Sequence, residues 1–229
     1  MSSLLGIFAE TPATKPSRVV PIREQARPNA VPANAAARDD QIQSLARQLF
    51  FCPQSAPVHH VAFAAVEAST ETAKLCLDLA RAVADQDRYD VGLIDAHHDA
   101  SPLQTRLQIP APVRAETSWP MGRRLWMVPR QSWLPESSGK RITDRNLSRL
   151  QELTTEFDFS ILWCAPVSWV TASIGQICDG LVLVLTANKT RRLVAAQVRD
   201  ELNKAQVPLL GTVLAERRFP VPQGLYRSL

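Results

Sequence analysis

Glycine is scarce in the first half of this chain: none occurs between Gly6 and Gly92. That excludes a glycine-rich phosphate cradle there, because successive N–H groups turn inward only at positive φ, which glycine alone adopts cheaply. No C-x-x-C pair occurs among the four cysteines, Cys52, Cys76, Cys164 and Cys178. The last three fall in apolar segments and read as small core residues, not a zinc site, nucleophile or disulfide framework. No apolar run approaches the ~18 residues of a membrane span, and the first residues lack a signal-peptide pattern. The chain is therefore expected to be cytoplasmic, with no direct membrane span. Basic residues form no block: Arg123-Arg124, Arg191-Arg192 and Arg217-Arg218 are isolated pairs, and the net charge is only +4. A solvated, mildly basic surface is the reading, and no nucleic-acid partner is expected. There is no internal repeat and no G-x-S-x-G elbow.

What is present suits one α/β domain. Of 229 residues, 45% are hydrophobic and 21% charged, ordinary for a soluble globular chain with a substantial core. Residues 1–38 carry Pro12, Pro16, Pro21, Pro28 and Pro32 and read as a flexible lead-in. Leu4-Leu5-Gly6-Ile7-Phe8 is its apolar exception, either a hook for a partner or a frayed terminus. Asp39-Asp40 is expected to cap a helix running to about Phe51, with Ile42, Leu45, Leu49 and Phe50 on one face.

The organising stretch runs from His59 to Asp95 and reads as strand, turn, helix, turn, strand. Val61 to Ala65 is a short apolar run. Leu75, Leu79, Ala82 and Val83 recur at helical spacing, and Val91 to Ile94 is a second apolar run ending on Asp95. This is the opening of a doubly wound sheet. Its first turn is Val66-Glu67-Ala68-Ser69-Thr70-Glu71-Thr72-Ala73. A phosphate loop in that place would end Gly-Lys-Ser/Thr, and here lysine is absent too. Glu67 and Glu71 would each repel a phosphate at roughly 4–6 Å by about a kcal/mol or more. Ser69, Thr70 or Thr72 can cap the helix internally.

Further strands are expected at 124–129, 157–164, 180–185 and 209–214. Helices are expected at 101–109, from Thr143 or Asp144 through Leu153, at 170–177 and at 190–206. The fold class is α/β: a doubly wound, mostly parallel sheet of about six strands with helices on both faces. Residues 39–215 form the domain and 216–229 a C-terminal tail.

Three stretches carry a resemblance. Ser44 to Phe51 (SLARQLFF) is similar to an LRTNLLF helix, and Phe157 to Pro166 (FDFSILWCAP) to YDYVIIDTPP. Cys178 to Val184 (CDGLVLV), followed by Ala187-Asn188-Lys189-Thr190-Arg191, is similar to ADGVVLVV…AGKTR. In these the chain resembles the cytoplasmic domain of bacterial tyrosine kinases, MinD/ParA-like deviant-Walker ATPases that regulate capsule and exopolysaccharide export. The resemblance implies a P-loop NTPase-like fold over residues 39–215. It also implies which positions have departed from the family. The phosphate-loop lysine falls on Thr72 and the following threonine on Ala73. The Walker B aspartate that positions Mg²⁺ falls on Trp163. Of the D-x-D-x-R motif, Asp95-Ala96-His97-His98-Asp99 keeps the first aspartate. The E-x-x-R-x-x-R oligomerisation signature falls on Asp40, Gln43 and Ala46. Phosphoryl transfer relies on lysine, Mg²⁺ and its carboxylates to neutralise developing charge. With these gone, the expectation is a degenerate member, a pseudo-enzyme with no cofactor, in which Trp163 helps fill the vacated pocket.

Other constellations carry two readings each. Asp95, His97 and Asp99 would share a side of an extended segment and offer divalent-metal chemistry. Alternatively the segment is a polar loop with surface histidines and a structural Asp95 bonded to nearby N–H groups, and this is the favoured reading. Trp119 and Trp133 are placed in Pro-bearing loops, as partner anchors or tucked onto the core. Tyr226 stands alone near the end, a phospho-acceptor for an active paralogue or part of a docked tail.

The expected role is protein–protein interaction or regulation in exopolysaccharide biosynthesis or export. The resemblance implies as partner the cytoplasmic part of a membrane polysaccharide co-polymerase or an active paralogue, with self-association, and recruitment to the inner membrane face. Alternatives are a MinD/ParA-like localisation scaffold, or an enzyme with metal-dependent chemistry at Asp95 to Asp99.

Overall fold

The structure, a computed structural model, describes residues 4–8, 33–52, 56–67, 70–98, 101–110, 116–135 and 142–217. Of the positions singled out from sequence, Ser69, Asp99 and Tyr226 lie outside these residues.

The strands in chain order are β1 (Leu4–Phe8), β2 (His60–Ala65), β3 (Val91–Ala96), β4 (Trp119–Gly122), β5 (Leu125–Val128), β6 (Phe159–Cys164), β7 (Gly180–Thr186) and β8 (Leu209–Arg217). The helices are α1 (Ala33–Ala46), α2 (Thr70–Ala84), α3 (Leu103–Arg106), α4 (Asp144–Thr154), α5 (Trp169–Ile177) and α6 (Arg192–Lys204). All eight strands form one sheet in the order β1-β8-β7-β2-β6-β3-β5-β4. The inner six run parallel, and β1 and β4 add antiparallel edges. The six parallel strands are those the apolar runs predicted. The two edges were not anticipated: β1 places the Leu4–Phe8 segment on β8, and β4 takes Trp119 out of the loop assigned to it.

Apolar runs without polar alternation become strands covered on both faces. Val61, Phe63 and Ala65 enter one core with Leu45, Phe50 and Leu79, the α1 and α2 side. Ala62 and Ala64 enter a second core with Leu150, Val170 and Leu202, the α4, α5 and α6 side. The helices thus divide between the two faces, as a doubly wound sheet requires.

Helix α1 begins at Ala33, six residues before the expected start, so Asp39 and Asp40 sit inside it and not at its cap. Its end continues as a π-helical turn, Arg47–Phe51. That turn carries Phe50 and Phe51 onto Phe159, with ring centroids 5.2 and 5.5 Å away. Helix α4 starts as expected, with Thr143 and Asn146 forming a reciprocal capping box.

At the amino ends of the strands, two aspartates close the sheet. The Asp179 carboxylate accepts from the His59 and His60 N–H groups at 2.6 and 2.7 Å. The Asp158 carboxylate accepts from the Asp90 N–H at 2.8 Å. Each satisfies N–H groups at the entry to a neighbouring strand.

Candidate functional site

In open α/β sheets the chemistry sits beyond the carboxyl ends of the strands, where the crossovers diverge to opposite faces. Here that place lies over β2, β3 and β6. Parallel register sets Trp163 opposite Phe63 on one side and Asp95 on the other. The Trp163 side chain joins the α2-side core and is 2% exposed. Its ring centroid lies 4.5 Å from that of His97. On Trp163 also rests the Arg106 guanidinium, 5.4 Å from the ring centroid. Together with Ala65, Thr72, Cys164 and Pro166 these three residues line a small, partly open space of about 10 Å³. That is room for no more than about one water. The indole itself is buried.

Thr72 is the third residue of α2, in its first turn, and is 1% exposed. Its hydroxyl has no hydrogen-bond partner among the described residues, so it does not cap the helix. Ala73, beside it, is wholly buried. The two acids of the turn stay out of the small space. Glu67 is exposed, and Glu71 is drawn to α1, its carboxylate 3.7 Å from the Arg38 guanidinium. Arg38 also pairs with Asp78 at 2.9 Å. For Glu71, expected beside the phosphate position, the pairing is instead with α1: an ion pair there costs less than a carboxylate held in a dry site. Val66 ties the turn to the sheet, its N–H donating to the Val184 carbonyl at 3.2 Å.

Asp95 is fully buried and bonded on all sides. One carboxylate oxygen accepts from the His97 N–H at 3.2 Å, the other from the Leu103 N–H at 2.8 Å. Its main-chain carbonyl accepts from the Trp133 indole N–H at 2.8 Å. Burial pushes its carboxyl up to about 6, opposed by those two N–H groups and by Arg130 and Arg106. This aspartate pins the turn after β3 to the start of α3, but His97 is buried against Trp163 and is not the surface histidine that the polar-loop reading expected. Arg130 braces the same turn by donating to the His97 carbonyl at 3.1 Å. Among the described residues no group of three or more histidines, cysteines or acids is arranged to hold a metal ion.

Trp133 follows a short 3-10 turn, Arg130–Ser132, and is 1% exposed. Its carbonyl accepts from the Asn146 side chain at 3.0 Å. Trp119 is buried too. Both indoles are therefore core residues and not exposed anchors. Sequence reasoning missed Arg106, Arg130 and the bond from Trp133 to Asp95. No local motif marks them, since each acts across 30 residues or more or from an irregular turn. No helix among the described residues is long and apolar enough to cross a membrane.

No family model matches the sequence, and no curated protein matches it significantly. Solved structures do resemble it. The kinase domain of the Escherichia coli tyrosine kinase ETK superposes with a TM-score of 0.68 at 16% identity, covering 87% of this chain and 86% of that one. The chimerical protein CapA2B2 gives 0.66 at 16% identity, covering 82% and 88%. A ParA family ATPase from Chlorobium tepidum TLS gives 0.56 at 11% identity, covering 67% and 71%. At such identities the likeness shows the architecture alone: this chain has the fold of the bacterial tyrosine-kinase domains and of the ParA-type ATPases.

Proposed function

We propose that this protein works without nucleotide turnover, as a tyrosine-kinase-like subunit acting through protein contacts in exopolysaccharide biosynthesis or export. The observation that carries this reading is the filled carboxyl edge. Trp163 stands where the resemblance puts the metal-positioning aspartate, and with Arg106 and His97 it leaves about 10 Å³. Small-molecule sites commonly need about 300–1,000 Å³. Thr72 stands where the phosphate-binding lysine would be, and its hydroxyl brings no positive charge to a phosphate. The exclusion is steric more than electrostatic, because Glu67 and Glu71 are turned elsewhere.

The pathway and partners rest on the resemblance. The proposed partner is the cytoplasmic part of a membrane polysaccharide co-polymerase or an active paralogue, which would recruit the chain to the inner membrane face. A metal-dependent enzyme at Asp95 draws little support, since both carboxylate oxygens already accept backbone N–H groups.

The test is calorimetric titration of the purified chain with ATP and ADP, with and without Mg²⁺. No heat of binding and no rise in melting temperature is expected at millimolar nucleotide. Stoichiometric Mg-ATP binding would overturn the reading. Co-purification with division-site or chromosome-partition proteins, and not with polysaccharide-export proteins, would favour the localisation scaffold instead.

A further inference from the structure

Among the described residues, two large apolar side chains stand well clear of the surface: Trp169 at 67% exposure and Leu193 at 79%. Single exposed apolar residues are ordinary, but these two follow strands at the same carboxyl end of the sheet. Trp169 opens α5, just after β6, and Leu193 opens α6, just after β7. Only β2 separates those strands, so the carboxyl ends from which the two helices set out are roughly 10 Å apart by strand spacing. Both helices cover the same face. Ile174 and Leu202 share its core, and the Gln176 side-chain amide of α5 donates to the Ala205 carbonyl just past α6 at 2.7 Å.

Positive charge precedes Leu193 in the chain. Arg191 and Arg192 are exposed, and neither pairs with a carboxylate among the described residues. Lys189 lies 3.9 Å from Glu216, a long and exposed contact that leaves most of its field outside. The turn that presents them is held firmly. The Thr186 N–H donates to the Thr190 hydroxyl at 3.0 Å, and Asn188 takes the positive φ of 63° that asparagine tolerates.

We propose that this end of the sheet is a docking surface for a short acidic segment of another protein, carrying two apolar side chains flanked by aspartate or glutamate. Trp169 and Leu193 would receive the apolar pair, and Arg191 and Arg192 the carboxylates. Tryptophan and arginine are the residue types that dominate such contacts. A second copy of this chain fits less well, because a twofold contact would set the arginines of one copy near those of the other. Two apolar side chains also bury too little to hold a chain on a bilayer. The surface does not use the filled space around Trp163, so it stands or falls independently of whether nucleotide binds.

The experiment selects a displayed library of random 12-residue peptides on the full chain. The enriched peptides are then measured by fluorescence anisotropy against wild type, Trp169→Ala, Leu193→Ala and the double variant Arg191→Glu/Arg192→Glu. All substitutions are at exposed positions, and circular dichroism confirms that each variant is folded. The expected result is enrichment of apolar pairs flanked by acids, with affinity about tenfold weaker for Trp169→Ala and for the double arginine variant. No enrichment, or binding indifferent to these variants, would overturn the proposal. So would a concentration-dependent dimer in sedimentation that Trp169→Ala abolishes, which would assign the surface to a second copy. Binding to phosphatidylserine vesicles that Trp169→Ala abolishes would assign it to the membrane and equally overturn it.

Discussion

The Arg106 guanidinium lies over the Trp163 ring, 5.4 Å from its centroid, at the carboxyl edge of the central strands. A cation and an indole thus pack together at that edge. Replacing Trp163 by alanine removes a nearly fully buried side chain, and the expected loss of stability is about 3–5 kcal/mol. The cation–π contact itself should show as a coupling of about 1 kcal/mol between Arg106→Ala and Trp163→Leu in a double-mutant cycle. Chemical denaturation measures both. Trp163→Ala is not expected to gain nucleotide affinity, because the hydroxyl of Thr72 offers no charge to a phosphate; Mg-ATP binding by this variant would show that the indole alone was the block.

Asp95 makes stability depend on pH with a definite sign. Burial raises its carboxyl from 3.8 to about 6 in the folded chain. Between those values the folded state keeps a proton that the unfolded state has released. Its contribution to stability is therefore fully present below the unfolded value and is lost as pH rises through the folded one. The shift corresponds to a swing on the order of 3 kcal/mol. Asparagine does not titrate, so wild type should lose stability relative to Asp95→Asn as pH rises from about 4 to about 7. Urea unfolding of both proteins across that range is the check, and a constant difference would refute the assignment.

The indole N–H of Trp133 reaches the Asp95 carbonyl at 2.8 Å in a fully buried setting. Trp133→Phe keeps most of the ring and deletes the donor. The carbonyl is then left without that partner, and the expected cost is about 1–3 kcal/mol. The same change should speed amide exchange at His97 and Leu103, whose N–H groups are held by the Asp95 carboxylate. Exchange slowed or unchanged at both would separate Trp133 from the turn it is argued to brace.

Much of the fold was legible because its strands are buried on both faces, which leaves uninterrupted apolar runs such as Leu181 to Val184. The edge strands gave no such signal. β4 is four residues long and contains Pro120, and β1 precedes a proline-bearing stretch, so its short apolar run read as a hook or a frayed terminus. The start of α1 was misjudged because Asp39 and Asp40 look like caps, whereas the helix had already begun in an alanine-rich segment. At the site, the position of Trp163 at the end of a strand could be read from the run that precedes it. Its partners could not. Arg106 comes from a one-turn helix and Arg130 from a 3-10 turn, neither of which has a periodicity to read. Glu71 misled for a related reason: its partner, Arg38, is 33 positions earlier, across the packing of α1 on α2.

The cysteines provide a test that needs no ligand or partner. Cys52, at the end of the π-helical turn, is exposed, whereas Cys76, Cys164 and Cys178 are buried. Burial pushes the thiols of those three well above the ordinary cysteine range, so the reactive thiolate is scarce as well as shielded. In the native protein one thiol per chain should react promptly with Ellman's reagent, and Cys52→Ser should remove that phase. The other three should react only as the fold opens, at a rate that rises with urea. Cys164 is the informative member, because it lines the same small space as Trp163 and Thr72. Prompt labelling of Cys164 in folded protein would mean that solvent reaches the carboxyl edge, and the case that Trp163 and Arg106 keep it filled would fail.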